Sequence, residues 1–235
     1  MRPTAAAKTI ARDYYPSFIT PAKGAGNLRE YPKINNILRY RPGQIIVFEG
    51  DVIDYLYEIV TGTVKTYKIL NDGRRLITGF HAMGDIIGLP TDGRYFHSAE
   101  TITEVTVCCY RKGQIEKLMG SNPNLAKKIV KMAFGRLQDS YEQMVSLGRK
   151  RPDERVATFL LNCQKWATVQ IPSQNVMINL PMSRLDIADY LGLTQETVCR
   201  VFSLFKHAGL ITLVRPDQII LKNSPQLSKL ANLSE

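Results

Sequence analysis

Three side chains in the stretch LTQETVCRVF, residues 193–202, have types and spacing suited to specific polar recognition. Glu196, Cys199 and Arg200 stand at i, i+3 and i+4, so on a helix they share one face, and the apolar residues of the stretch lie opposite. A carboxylate accepts hydrogen bonds, whereas a guanidinium donates them as a planar fork. This face could therefore recognise a partner that presents donors and acceptors side by side.

The elements that must position these residues follow from the longer segment LPMSRLDIADYLGLTQETVCRVFSLFKHAGLITL, residues 180–213. Ser183 can cap a first helix, Gly192 permits a tight turn, and Thr194 can cap a second helix. The strand-like runs LITLV and QIILK then flank a turn at residues 215–217. This order predicts a winged helix-turn-helix whose second helix enters the major groove of DNA.

The edges of base pairs present the groups that the predicted recognition helix can bind. Cytosine offers a donor to Glu196, and guanine offers paired acceptors to Arg200. Cys199 can touch a thymine methyl group, and Gln195 can pair with adenine. We therefore predict base reading by these four residues. Contacts with DNA phosphates, which position the protein, are predicted for Ser183, Arg184, Thr194, Lys206, His207 and Arg215.

The cysteines suggest redox control rather than a metal site. Oxidation of Cys199 would add bulk or negative charge to a face that must approach DNA, so this thiol is a candidate redox switch. The simpler interpretation is a passive contact in place of a serine. The four cysteines lack C-x-x-C spacing, and Cys108 and Cys109 are adjacent in an apparent strand, so they point to opposite faces. No metal and no disulfide framework is predicted.

Length and charge fit a two-domain chain that binds a polyanion. The chain has 235 residues, 44% of them hydrophobic, and a formal net charge of +10. This charge favours double-stranded nucleic acid over a membrane, because no basic amphipathic helix with a strong apolar face is evident. No run approaches the roughly 18 apolar residues of a membrane helix, and the N-terminus lacks the apolar core of a signal peptide. We expect a cytoplasmic protein.

Periodicity divides the chain into four segments with an α+β architecture. Residues 1–30 lack periodicity and predict a flexible N-terminal arm. Residues 31–122 contain short β-rich runs separated by turn signals, which predict a jelly-roll β-barrel followed by a short helix. Residues 123–150 predict one long helix, and residues 151–235 the winged helix-turn-helix domain.

The long helix is predicted to make a homodimer. One apolar stripe has the 4, 3, 4, 3 spacing of a coiled coil, and Leu125, Ile129 and Met132 form a second apolar flank. One flank can pack on the β-barrel while the other packs on a second copy. The alternative is that the stripe packs on the β-barrel alone. The stripe consists of Val130, Phe134, Leu137, Tyr141 and Met144.

From about residue 35 to residue 230 the chain resembles the Crp/Fnr family of bacterial transcription regulators, with most similarity to its FixK-like and Fnr-like branches. The segments TVKTYKILNDGRRLITGFHAMGDIIGL, DERVATFLL and LPMSRLDIADYLGLTQETVCR carry the resemblance. It implies that the jelly-roll β-barrel is similar to a cyclic-nucleotide-binding domain. It also implies a homodimer that binds a palindrome of the TTGAT…ATCAA type and contacts RNA polymerase. The polymerase contact would lie near the polar hairpin tip at Asp72, Gly73 and Arg74, for which a plain solvated turn is the alternative.

Departures from the family pattern bear on the effector. Members that bind cyclic AMP carry Gly-Glu and Arg-Ser where this chain has Gly84-Asp85 and His97-Ser98, so the arginine that neutralises the phosphate is missing. The N-terminal cysteine cluster of Fnr is missing too. We therefore expect no cofactor. The alternative is an effector-gated sensor of the same family, with haem on His81 and His97 or a small nucleotide. No enzyme is predicted, because three histidines do not supply a jelly-roll metal cluster.

Overall fold

The computed structural model describes residues 35–89, 93–165, 167–169 and 175–231. The predicted N-terminal arm lies outside the described residues. Among them the chain forms a β-domain, a long helix and a winged helix-turn-helix domain, so the predicted α+β fold is confirmed. None of the helices in these ranges is long and apolar enough to cross a membrane.

Two antiparallel four-stranded sheets form the β-domain, as the jelly-roll prediction requires. The strands are β1 (Asn35–Tyr40), β2 (Ile45–Val47), β3 (Tyr55–Thr61), β4 (Val64–Ile69), β5 (Arg75–His81), β6 (Ile86–Ile87), β7 (Ser98–Thr101) and β8 (Val105–Arg111). One sheet has the order β1-β8-β3-β6 and the other β2-β7-β4-β5. Aliphatic residues from both sheets fill the space between them, as expected for alternating strands.

Two helices follow the β-domain. Helix α1 (Lys112–Ser121) is short, whereas α2 (Pro123–Arg149) is 27 residues long. Helix α2 begins where expected, because Asn122 accepts a hydrogen bond from the backbone of Leu125 and Pro123 occupies the first turn. Leu125 and Ile129 are buried against the β-domain, and Met132 packs beside them. The second apolar flank of this helix therefore packs as predicted.

The C-terminal domain combines four helices with a small sheet. Its elements are α3 (Pro152–Gln164), β9 (Thr168–Val169), β10 (Val176–Asn179), α4 (Arg184–Leu191), α5 (Gln195–His207), β11 (Ile211–Arg215), β12 (Gln218–Leu221) and α6 (Ser224–Leu230). The sheet order is β11-β12-β10-β9, so the wing hairpin lies at one edge. Helices α3, α4 and α5 enclose a single apolar core with this sheet.

Local sequence signals set the geometry of the helix-turn-helix. Ser183 forms a capping box with Asp186, in which each side chain bonds the backbone N–H of the other. Helix α4 ends at Gly192, whose φ of 61° is the left-handed conformation that glycine adopts most easily. A Cβ at Gly192 would stand 3.2 Å from Leu147 of α2, so the turn also needs a small residue for close packing.

Candidate DNA interface

The predicted recognition helix, α5, has one buried face and one exposed face. The apolar residues predicted to face inward are buried, with Phe205 in addition, and they pack against α3 and α4. The polar face is open to solvent, as a surface that enters a DNA groove must be. The four predicted base-reading side chains, Gln195, Glu196, Cys199 and Arg200, are all exposed there.

The N-terminus of α5 is capped by the predicted residue. Thr194 accepts a hydrogen bond from the backbone N–H of Thr197 at 3.1 Å, and the two hydroxyl groups lie 2.9 Å apart. Thr194 is exposed. The positive end of the helix dipole lies here, which suits a phosphate group. This geometry is compatible with the predicted phosphate contact.

Arg184 has a structural role that the sequence did not indicate. Its guanidinium lies 4.0 Å from the ring centroid of Phe202 and donates a hydrogen bond of 3.2 Å to the carbonyl of Pro216 in the wing. Burial lowers the pKa of Arg184, against the opposite effect of Cys199 nearby. Arg184 therefore joins α4, α5 and the wing. Its phosphate contact stays a prediction, and one nitrogen of its guanidinium already donates to Pro216.

The remaining predicted phosphate contacts lie at three different places. Ser183 is exposed, but its hydroxyl donates to Asp186 at 2.8 Å, so the cap already uses its proton. Lys206 and His207 are exposed in the last turn of α5. Arg215 is exposed at the end of β11, next to the wing turn. Three of these four side chains are thus free to reach a phosphate.

The predicted dimer stripe on α2 forms a continuous exposed apolar surface. Its five side chains are between 48% and 66% exposed, although the Tyr141 hydroxyl is their only polar group. Val145 is 57% exposed and extends the stripe toward the C-terminal domain. The alternative, in which the stripe packs on its own β-domain, is wrong. The described residues leave this flank uncovered, as a homodimer requires.

The cysteines divide into three buried thiols and one exposed thiol. Cys108, Cys109 and Cys163 are buried, and Cys199 is exposed. Burial raises the pKa of Cys109 to about 11, with a smaller contribution from Cys108, and it raises the pKa of Cys163 well above its usual value. Thiolates are the reactive species. An oxidant in solution would therefore meet Cys199 first.

The hairpin between β4 and β5 carries the predicted polar tip. Asp72 accepts hydrogen bonds from the backbone and from the side chain of Arg74, at 3.0 and 2.8 Å. These bonds lower the pKa of Asp72. Gly73 has a φ of 83°, and the turn is exposed throughout. The tip is ordered by its own residues, and the paired side chains of Asp72 and Arg74 are exposed on it.

The histidines of the β-domain have packing roles. His81 is buried, its Nε2 lies 2.9 Å from the Thr66 hydroxyl, and burial lowers its pKa well below the usual range. Burial also lowers the pKa of His97, which is half-buried. His97 therefore supplies no fixed cation for a cyclic phosphate. Asp85 forms an ion pair of 2.5 Å with Arg136 of α2. The absence of a cyclic-nucleotide effector stays a prediction.

Comparison with known proteins agrees with this geometry. Residues 154–230 match the model of the Crp-like helix-turn-helix domain, and residues 37–122 match that of the cyclic nucleotide-binding domain. The nitrogen fixation regulation protein FixK of Bradyrhizobium diazoefficiens is 36% identical over 198 residues, which cover 84% of this chain and 83% of FixK. The chain belongs to the Crp/Fnr family. It is therefore a DNA-binding transcription regulator with a Crp-like helix-turn-helix domain, which contains α4 and α5.

Two further relatives place this Crp/Fnr regulator among FixK-like proteins. The transcriptional activatory protein AadR of Rhodopseudomonas palustris is 34% identical, covering 88% of this chain and 86% of AadR. The structure of FixK2 from Bradyrhizobium japonicum superposes with a TM-score of 0.80 and 37% identity, covering 86% of this chain and all of FixK2. The similarity therefore extends over both domains and the long helix.

Proposed function

We propose that this regulator acts as a homodimer that binds a palindromic site of the TTGAT…ATCAA type and contacts RNA polymerase. It uses neither cyclic AMP nor an iron–sulfur cluster. The names of its FixK and AadR relatives suggest a role as an activator, with nitrogen fixation genes as one candidate target class. The exposed polar face of α5, set on a fully packed apolar face, is the observation that carries the proposal.

Glu196 and Arg200 supply the base-specific part of recognition. They stand one turn apart on the exposed face, so the carboxylate can accept from cytosine while the guanidinium donates to guanine. Lys206 and His207 contribute charge at the far end of the same helix, where contacts with phosphates add affinity without sequence information. The arrangement separates specificity from affinity along one helix.

Dimerisation through α2 explains why the site is a palindrome. A two-fold axis between two α2 helices repeats the recognition helix, so two half-sites must be related by the same symmetry. In helix-turn-helix dimers the half-sites are about 34–36 Å apart, one turn of DNA. The exposed stripe on α2 supports this assembly, because an apolar surface of this kind is stabilised by a partner.

The experiment compares Arg200→Ala with Lys206→Ala. Sequences bound by each protein are selected from a random duplex pool, and affinities are measured at several salt concentrations. Arg200→Ala should cost about 1–3 kcal/mol and relax the choice of one G·C pair. Lys206→Ala should weaken all sequences alike and reduce the slope of affinity against salt. If Arg200→Ala selects the wild-type site unchanged, α5 does not read bases as proposed.

We also propose that oxidation of Cys199 weakens DNA binding. The exposure of this thiol on the base-reading face supports the proposal, because a sulfenic or sulfinic acid there would face phosphate charge. After mild peroxide, the wild type should lose operator affinity and recover it with a dithiol, whereas Cys199→Ser should keep it. Equal sensitivity in both proteins would implicate a buried cysteine, and insensitivity of both would leave Cys199 a passive contact.

A further inference from the structure

The β-domain holds the first helix of the helix-turn-helix through a cluster of charged residues. Arg75, at the start of β5, donates from Nη2 to Asp186 at 2.7 Å and from Nε to Asp189 at 2.8 Å. Lys65 of β4 lies 3.1 Å from the same Asp186 carboxylate and 3.2 Å from Glu100 of β7. Two cations of one sheet thus converge on two carboxylates of α4.

This cluster is shielded from solvent, so its geometry is specific. The side chains of Lys65 and Asp186 are each 9% exposed. Burial opposes ionisation of Asp186, but hydrogen bonds from Ser183 and Lys65 and the nearby cations outweigh it and keep its pKa below the usual value. A buried charge that loses its partner is strongly destabilising. The contact therefore tolerates little sliding of α4 over the sheet.

Apolar contacts continue the same junction. Phe80 of β5 packs with Tyr190 of α4 at 5.3 Å between ring centroids and with Phe159 of α3 at 6.1 Å. Phe80 and Ile102 of the β-domain thereby join the apolar core of the C-terminal domain. The two domains share part of one core, which is unlike a pair of domains joined only by a linker.

The C-terminal end of α4 is held by the long helix α2 and by α3. Gln143 of α2 donates to the carbonyl of Tyr190 at 2.6 Å. Arg155 of α3 donates to the carbonyls of Leu147 and Leu191, at 2.8 and 2.9 Å. These are terminal carbonyls of α2 and α4, which have no partner within their own helices. One guanidinium therefore ties the end of the dimer helix to the turn before α5.

The junction leaves the DNA-binding surface open. The four predicted base-reading side chains are exposed while α4 is held on the sheet, and so are Thr194, Lys206 and Arg215. The contact is therefore compatible with DNA binding rather than a block to it. Because α4 packs directly on α5, whatever fixes α4 also fixes the direction of the recognition helix relative to α2.

We propose that Arg75 and Lys65 of the β-domain are positioning residues for DNA recognition, which set the angle between the recognition helix and the dimer helix and thereby the half-site spacing. Neither side chain touches DNA in this proposal. It rests on the proposed dimer and palindrome, since spacing has meaning only when two recognition helices act together. It assigns to the β-domain sheet a part in the specificity of the regulator.

The test uses the full-length protein and a charge exchange. Affinities are measured for Arg75→Glu, Asp189→Arg and the double variant on the selected palindrome, on palindromes with one or two base pairs added or removed between half-sites, and on a single half-site at low salt. Asp189 is chosen because Asp186 also caps α4. Arg39→Glu is the matched control, because it makes the same change of charge at an exposed position of β1, in the other sheet of the β-domain.

Arg75→Glu should lose at least ten-fold in affinity for the preferred palindrome and most of its preference between spacings, with half-site affinity within about two-fold of wild type. The double variant should recover part of both, since Asp186 stays beside the new carboxylate, and Arg39→Glu should match the wild type. The positioning role is overturned if Arg75→Glu keeps the spacing preference of the wild type, or if it also loses affinity for the single half-site. It is overturned as well if the double variant regains neither affinity nor spacing preference. A wild type without any spacing preference would instead overturn the proposed palindrome.

Discussion

Replacing Leu137 by glutamate tests the dimer at the middle of the α2 stripe. Leu137 is 50% exposed in the single chain, so a partner helix can bury about half of a side chain whose full burial is worth roughly 2 kcal/mol. Two protomers would lose about 2 kcal/mol in all from this contribution. Enclosing the two glutamates without a partner adds several kcal/mol for each ion.

The sum is a loss of dimer stability on the order of 5 kcal/mol or more, which corresponds to at least about a thousand-fold in the dissociation constant, at 1.4 kcal/mol per factor of ten. Sedimentation velocity over a concentration series should show a wild-type dimer and a Leu137→Glu monomer. Circular dichroism should show unchanged helix content, because the substituted face is exposed in the monomer. Affinity for the palindrome should fall, since a monomer engages one half-site.

Two controls separate the interface from a general effect of charge. Leu137→Met conserves volume and polarity, so the dimer should persist. Val52→Glu places the same charge on an apolar side chain of the β-domain that is 57% exposed, and the dimer should persist there too. A Leu137→Glu protein that sediments as an intact dimer would place the interface elsewhere and refute the assignment of the stripe.

Three further outcomes are expected from the same structure. Asp72→Ala with Arg74→Ala should lower transcription in vitro while operator binding stays intact; equal loss of both would indicate misfolding. The folded pKa of Asp186 is held below the unfolded value of about 3.9, so its stabilising contribution is present above that value and lost as the pH falls through the folded pKa. Urea unfolding of wild type and Asp186→Asn should therefore differ by a constant amount above about pH 4, and the difference should shrink as the pH falls from there through the folded pKa. Removing the helix cap by Thr194→Ala should cost about 1 kcal/mol in the free energy of unfolding, and calorimetry that shows no change would contradict the cap.

The recognition unit could be predicted from the sequence because its signals are local. Ser183 and Thr194 are helix caps whose hydrogen bonds span three residues, and Gly192 is a turn residue whose backbone conformation is specific. The spacing of polar and apolar residues then determines which face of α5 is exposed. The same reasoning identified both apolar flanks of α2, since the helical spacing of apolar residues can be recognised without knowing which distant residues they contact.

The parts that the sequence did not predict depend on distant pairs or on short elements. Arg75 and Asp189 are 114 residues apart, and neither carries a local signal for the other. The sequence predicted a phosphate contact for Arg184. The contact of its guanidinium with the ring of Phe202 is formed only in the folded chain. The two-residue strand β6 has no recognisable sequence signal, because two residues show no alternation. Strand β1 has no clear signal either, since its exposed residues lack the alternation of a half-buried strand.

The two flanks of α2 explain how the geometry of the proposed dimer can determine the position of the DNA-binding helix. Residues that face the β-domain and C-terminal domain, from Leu125 through Arg136 to Gln143, recur at helical spacing on the flank opposite the exposed stripe. A partner on the stripe therefore fixes the axis of a helix whose other side already holds α4. Because interfaces of this kind are packed rather than compliant, a rotation of α2 must move α4 and α5 with it. The position of the recognition helix is thus a property of the whole chain, and a substitution far from DNA, such as Arg75→Glu, is expected to change which operators are bound.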